Sequence, residues 1–156
     1  MFLTIVIPTY NRAHLIGNTL QSVLNQESDD FEVIIIDDGS SDHTEEVVQP
    51  YLSERVRYFR IPNSERGAAR NRGTELAKGT YINWFDSDDE MLSNHVARAK
   101  ELSLRFDHPE VLNLMYQMKD SSSGKITPVP CTYAPGQKQR KHFLIEGNYL
   151  ACNPVI

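Results

Sequence analysis

The sequence predicts an α/β fold, a mostly parallel sheet with helices on both faces. Two observations carry this. Four runs rich in β-branched and aromatic residues read FLTIVI, FEVIIID, VRYFRI and TYINWF, and most of them are apolar nearly throughout, the pattern of strands covered on both faces. Between the runs lie segments of helical spacing, and strand, helix, strand, helix, strand, helix, strand is the signature of right-handed crossover units.

Phe2–Ile7 is the first strand, stopped by Pro8. From Ala13 to Gln26, Leu15, Ile16, Leu20, Val23 and Leu24 recur at three- and four-residue steps, so an amphipathic helix is expected with Asn11 as its cap. Phe31–Asp37 is the second strand. Asp42 followed by Glu45 resembles a capping box and opens a short helix that ends near Leu52. Val56–Ile61 is a third strand with weaker, alternating burial. Ala68–Lys78 is helical, with Gly79 expected in the left-handed conformation that closes a helix. Thr80–Phe85 is the fourth strand and Ser93–Arg105 a further helix. EVLNLMYQMK and ITPVP flank DSSSGK, which reads as a hairpin turn.

With 156 residues the chain has the length of one domain, 1–156. It has the composition of a soluble globular protein, and no apolar run nears the roughly 18 residues of a membrane span. MFLTIVIPTYNR reads as a strand entering a turn rather than a secretory leader, which predicts a cytoplasmic address. Cys131 and Cys152 have no metal-ligand or redox spacing and receive no role. A net charge of −5 argues against a nucleic-acid partner, because phosphate backbones are held by clustered Lys and Arg. The basic group Lys138 to His142 is either a solvated loop or a contact for a membrane surface or acidic partner.

In open α/β sheets ligands sit beyond the carboxyl ends of the strands, where loops and helix N-termini converge. Here those ends carry Pro8, Thr9, Tyr10 and Asn11; Asp37 and Asp38; Asn63; and Asp86, Ser87, Asp88 and Asp89. If the sheet is parallel, all of them crowd one rim. Two unit charges 4 Å apart repel by roughly 4 kcal/mol at an effective dielectric near 20, so such a rim calls for positive charge. Asp86 and Asp88 offer hard oxygen ligands for Mg²⁺ or Mn²⁺, ions that favour one or two carboxylates plus a substrate's phosphates. The bland alternative is a turn with an exposed acidic helix start. Arg70, with Arg66 on the same helix face and Arg72 nearby, suits a phosphate; surface arginines are the competing reading. Tyr10 lies along a base or simply packs. Asp38 accepts from the base or its ribose, whereas Asp37 serves the turn that follows it.

VIPTYNR, IIIDDGSSDHT, AARNRG and WFDSDD, in this order, resemble the family 2 glycosyltransferases of GT-A fold, over about Leu3 to Met91. The resemblance implies a GT-A-type, Rossmann-like sheet and a nucleotide-sugar donor, usually UDP-linked. It implies Mn²⁺ or Mg²⁺ at the diphosphate and inverting transfer to a glycan or lipid-linked acceptor hydroxyl. Carried over by residue, Pro8, Thr9 and Tyr10 would border the base and Asp38 would hold uracil or ribose. Asn63 and Arg70 would line the donor, Asp86 would contact ribose or the metal-bound donor, and Asp88 would be the principal metal ligand with Asp86 beside it. Surface polysaccharide or cell-envelope synthesis at the cytoplasmic face of a membrane is the family-level expectation, by analogy.

This chain departs from the family pattern at Glu65, where many members have Gly, with Gly67 two residues later. The family's general base lies well downstream of the metal motif and is expected beyond Ile156, in a longer enzyme of which this is a fragment; the alternative is a natural short form that binds donor and relies on a partner. Glu110, Asp120, His142 and Glu146 sit in no motif that would assign it. Three other classes compete: a nucleotide-binding module without catalysis, a nucleotidyltransferase and a metal-dependent phosphatase. PTYNRAHL lacks the glycine-rich loop of the second, and DSDDEML lacks the Thr or Val that the third needs after its Asp pair.

Overall fold

The computed structural model describes residues 1–112, 114, 117–120 and 122–128, with the side chain of residue 65 left out. Cys131, Cys152, the basic group 138–142 and Glu146 lie outside the described residues. The central sheet has four strands, β1 (Leu3–Thr9), β2 (Phe31–Asp37), β3 (Val56–Arg60) and β4 (Tyr81–Trp84), in the order β3-β2-β1-β4. Every pairing is parallel, with Leu3 opposite both Phe31 and Tyr81, and Val33 opposite Val56. The expected parallel sheet is therefore present. Its order adds a fact that periodicity does not contain: the chain moves from β1 outward to β2 and β3, then returns to the other side of β1. The direction of crossover reverses between β1 and β4, which is where such sheets open a crevice.

Alternation along each strand divides the interior. Leu3, Ile5, Ile7, Phe31, Val33 and Ile35 point to one face and pack with Ile16, Leu20 and Val23 of α1 (Ile16–Leu24), Val48 of α2 (Thr44–Val48) and Val96 of α4 (His95–Arg105). Ile34 and Ile36 point to the other face and meet Ala69 of α3 (Glu65–Leu76). Helices thus cover both faces, as the continuous apolar strands require. Gly73 of α3 makes close packing possible, since a Cβ there would stand 2.2 Å from Val6 Cγ1. β5 (Gln117–Lys119) pairs antiparallel with β6 (Ile126–Pro128), the expected hairpin.

Several local expectations are corrected. Pro8 does not stop β1, which runs on to Thr9. Val6 bonds towards β4, its carbonyl accepting from Phe85 at 2.8 Å, and Pro8 shares that side; β4 ends at Trp84, so no ladder bond needs the missing N–H. Asn11 is not a helix cap. Helix α1 begins at Ile16, because the N–H groups of Arg12 and Ala13 donate instead to Thr44 Oγ1 (3.0 Å) and Asp42 Oδ2 (3.1 Å). Asn11 takes φ +52 and its Oδ1 accepts from the Ser41 N–H at 2.8 Å, tying the loop after β1 to the loop after β2. Asp42 forms no capping box with Glu45; its Oδ1 accepts the N–H (3.0 Å) and hydroxyl (2.5 Å) of Thr44. Gly79 is not the left-handed closer of α3, which ends at Leu76 with Ala77 extended. Its reason for being glycine is proximity: a Cβ would lie 2.5 Å from Thr4 N and 2.7 Å from Leu3 C.

At the amino end of the sheet Glu32 is buried, 2% exposed, on the α3 face of β2. Its Oε1 accepts from the Thr4 hydroxyl (2.9 Å) and the Lys78 N–H (2.7 Å), and its Oε2 from Arg57 Nη2 (2.8 Å). Arg57 also donates to the carbonyl of Leu76, so one carboxylate joins β1, β2, β3 and the end of α3. Burial pushes the Glu32 carboxyl up, but the Thr4, Lys78 and Arg57 donors outweigh it and hold the group below its ordinary value. A depressed carboxyl stabilises the folded chain above the unfolded-state value of 4.5, and that contribution is lost as pH falls through the lower folded value. Glu32→Gln, which must turn an NH₂ towards one set of donors, should lower stability by about 2 kcal/mol at pH 7 and flatten its decline in acid. Urea titrations at pH 7 and pH 3.5 measure both; a variant with the parent's pH dependence contradicts the assignment.

Candidate functional site

At the carboxyl ends of the strands lies a cleft of about 410 Å³. The end of β1 supplies Pro8, Thr9 and Tyr10, with Arg12 following; the end of β2 supplies Asp38; the approach to α3 supplies Asn63, and α3 itself Arg66 and Ala69; the end of β4 supplies Asp86, Ser87 and Asp88. The cleft therefore spans the reversal between β1 and β4 and extends over β2. Segments distant in the chain meet here because parallel strands present all their carboxyl ends on one side.

Asp37, Asp38 and Asp86 each accept from a donor of their own, and Asp88 has a cationic neighbour. Asp37, fully buried, accepts from the Ser40 N–H at 2.7 Å and the Tyr58 hydroxyl at 2.5 Å, so it serves the turn as expected. Burial, and then the hydrogen bond to Asp37, push the Tyr58 phenol up and keep it a donor. Asp38 is 5% exposed; its Oδ1 accepts from the Ser64 N–H at 2.7 Å, and Asn63 Nδ2 donates to its carbonyl at 3.1 Å. Gly39 permits this fold of the loop, with φ +78 and a virtual Cβ only 3.0 Å from the Asn63 nitrogen. Asp86 is bonded by Arg70 Nη2 at 2.9 Å, both side chains half-buried. Asp88 is exposed and stands 3.8 Å from Arg12 Nε. The N–H of Asp89 donates to the carbonyl of Asp86 at 3.2 Å and closes the turn after β4.

Of the residues singled out from sequence, Pro8, Thr9, Tyr10, Asp38, Asn63, Asp86 and Asp88 line this one cleft, and Arg66 joins them. Arg70 reaches it through Asp86 rather than as a lining residue. Arg72 does not take part: it pairs with Glu75 at 2.9 Å on the exposed side of α3. Arg12 was not singled out, although it ends the VIPTYNR run. Its relevance depends on β1 lying beside β4, which no local pattern reports. Among the described residues no group of three or more His, Cys, Asp or Glu side chains is arranged to hold a metal ion. Asp86 and Asp88 alone still satisfy the chemistry of Mg²⁺ or Mn²⁺, which needs only one or two carboxylates when phosphates complete the shell. Two buried side-chain atoms at this end of the sheet have no partner among the described residues, Thr9 Oγ1 and Arg70 Nε; buried polar groups normally have one.

Of the acidic residues weighed as a base, Glu110 and Asp120 are exposed and outside the cleft lining. Asp120 belongs to the hairpin turn, where the Ser122 hydroxyl (2.7 Å) and the N–H and hydroxyl of Ser123 (both 2.7 Å) donate to its Oδ1 and hold its carboxyl well below the usual range. Such a group is a poor proton acceptor.

Residues 4–117 match the family model described as Glycosyl transferase family 2. The chain belongs to that family. It is 38% identical over 95 residues to a GalNAc(5)-diNAcBac-PP-undecaprenol beta-1,3-glucosyltransferase of Campylobacter jejuni, covering 58% of this chain and 31% of that protein. It is 35% identical over 119 residues to an uncharacterized glycosyltransferase of Mycoplasma pneumoniae, covering 72% of this chain and 39% of that one. Its fold matches the crystal structure of S. aureus TarS 1-349 in complex with UDP-GlcNAc with a TM-score of 0.70 and 29% identity, over 72% of this chain and 34% of TarS. The expected GT-A-type sheet is thus the fold observed, and this family 2 chain spans 31% to 39% of the length of the relatives and the TarS structure.

Proposed function

We propose that this chain is the donor-binding part of a glycosyltransferase that moves a sugar from a UDP-linked donor to an acceptor hydroxyl, with inversion and with Mn²⁺ or Mg²⁺. The observation that carries the reading is the convergence of Asp38, the Arg70–Asp86 pair and Asp88 on one cleft at the crossover reversal. Tyr10, 47% exposed at the cleft edge, lies along the uracil ring. Asp38, its carboxylate already oriented by Ser64, accepts from the base or ribose. Thr9 Oγ1, buried in the cleft lining and unpartnered among the described residues, gains a partner on the donor. Asn63 borders the donor, and Arg66 faces its phosphate charge. When bound, Mn²⁺ or Mg²⁺ held by Asp88, with Asp86 beside it, supplies positive charge against the diphosphate leaving group. Arg70 holds Asp86 in place through its 2.9 Å bond.

The UDP-GlcNAc in the TarS structure and the undecaprenol-linked glycan in the name of the Campylobacter relative support a UDP donor and a glycan or lipid-linked acceptor. They also favour work at the cytoplasmic face of a membrane, to which the chain associates peripherally; among the described residues no helix is long and apolar enough to cross one. No described residue is assigned as the general base.

Thermal unfolding with nucleotides tests the reading. UDP with Mn²⁺ should stabilise the chain well beyond UDP in EDTA, by about 2.7 kcal/mol at a hundredfold excess over the dissociation constant. A UDP and Mn²⁺ pair that shifts unfolding no more than Mn²⁺ alone rejects it, and a larger shift with a nucleoside triphosphate favours a nucleotidyltransferase.

A further inference from the structure

The segment between β4 and α4 carries Asp86 and Asp88 but pairs with no strand of the sheet beyond Phe85. Its backbone is held instead by side chains of α1 and the turn after it. Thr19 Oγ1 donates to the carbonyl of Ser87 at 2.9 Å, between residues 1% and 6% exposed. Ser22 Oγ accepts from the Met91 N–H at 2.8 Å and itself donates to the carbonyl of Thr19 at 2.8 Å. Gln26 bonds with both ends of its amide, Nε2 to the carbonyl of Leu92 (2.9 Å) and Oε1 from the Val96 N–H (3.1 Å). The Glu27 N–H adds a bond to the carbonyl of Ser93 at 2.8 Å. Thr19 and Ser22 lie three residues apart on one face of α1, and Gln26 follows in the turn after it. An apolar residue at Thr19 or Ser22 would leave a buried or partly buried backbone group, the Ser87 carbonyl or the Met91 N–H, without that partner.

The contact of Thr19 has a particular consequence. The Ser87 carbonyl belongs to the rigid peptide unit whose nitrogen is that of Asp88. Orienting that carbonyl orients the departure of the Asp88 side chain. The loop that leads from β1 into α1 is in turn anchored to α2 and to the loop after β2, through the Arg12 N–H on Thr44 Oγ1 and the Ala13 N–H on Asp42 Oδ2. The two halves of the cleft rim are therefore referenced to one helix.

We propose that α1 is a positioning rail for the acidic segment: Thr19, acting through the Ser87 carbonyl, sets where Asp88 stands in the cleft, while Ser22 and Gln26 hold the segment downstream. Thr19 is a positioning residue that touches neither donor nor metal. The inference rests on the reading of Asp88 as a metal ligand, and one arm of its test does not.

The test uses the full 156-residue chain with Thr19→Val, which keeps the shape and removes the donor, Thr19→Ser, which keeps the donor, and Ser22→Ala. Calorimetry of UDP binding should show Thr19→Val weakening affinity in Mn²⁺ by about tenfold or more, the usual effect of losing a group behind a metal ligand, with affinity in EDTA unchanged and Thr19→Ser near the parent. Without ligand, hydrogen exchange should quicken at residues 87–91 in Thr19→Val, and at Met91 in Ser22→Ala, while β1 and β2 amides keep the parent's rates. Equal losses in Mn²⁺ and EDTA, or quickened exchange throughout β1 and β2, would show a general structural role and overturn the proposal. A parent chain whose UDP binding ignores Mn²⁺ rejects the functional reading instead; the exchange arm then decides, since local quickening keeps the rail and unchanged exchange removes it.

Discussion

Asp88→Asn should abolish the Mn²⁺-dependent part of UDP binding and leave the folded chain as stable as the parent. Asp88 is exposed, with side-chain accessibility of 47%, and its contact with Arg12 spans 3.8 Å. An ion pair of that length at a surface contributes less than about 1 kcal/mol, so little folding energy is at stake. The charge matters far more to a divalent cation, because the amide oxygen keeps the size of the ligand but loses the charge that offsets dehydration of a hard ion. A loss of about 100-fold in affinity, near 2.7 kcal/mol, is expected by calorimetry in Mn²⁺, with affinity in EDTA unchanged. Asp88→Asn binding UDP and Mn²⁺ as tightly as the parent would refute the metal assignment. Asp86 should behave differently: its partner Arg70 is half-buried, so neutralising Asp86 strands a cation and affects folding as well as binding.

Gly79→Ala should be strongly damaging for a single added methyl group. The added Cβ would stand 2.5 Å from Thr4 N, 2.7 Å from Leu3 C and 2.9 Å from Thr4 Oγ1. Two of these are backbone atoms of β1, which pairs with β2 on one side and β4 on the other and cannot yield without disturbing both ladders. The Gly79 N–H also donates to Thr4 Oγ1 at 2.8 Å, the hydroxyl that feeds Glu32, so any retreat of the chain breaks that network. A loss of about 3 kcal/mol is expected, at the upper end of ordinary overpacking. Gly67→Ala is the control of opposite sign: among the described residues, apart from its chain neighbours and its own helix backbone, no atom lies within 4 Å of its virtual Cβ in the first turn of α3, so a gain of about 0.5 kcal/mol should follow. Urea unfolding of both variants at pH 7 measures the pair, and two changes of similar size would refute the close-approach argument.

The expected parallel sheet was legible because buried strands must be apolar on both faces, and β2 occupies Phe31–Asp37 as its run of letters indicates. Boundaries were less legible where a distant partner competes for the same backbone groups. Helix α1 lost its first residues to Thr44 and Asp42, and β1 gained Pro8 and Thr9 because its neighbour ended early. Gly79 was read through a local rule about helix ends, whereas the reason lies in Thr4, far away in the chain.

Residue chemistry and local spacing by themselves determined the parallel strands, the acidic rim and most members of the cleft, because strand ends and their side chains are properties of short segments. Strand order, the Arg70–Asp86 and Arg12–Asp88 pairings, and the hold of α1 on the acidic segment were decided only in three dimensions. Each depends on which strand lies beside β1, and that is set by how all the apolar faces can be covered at once rather than by any run of letters.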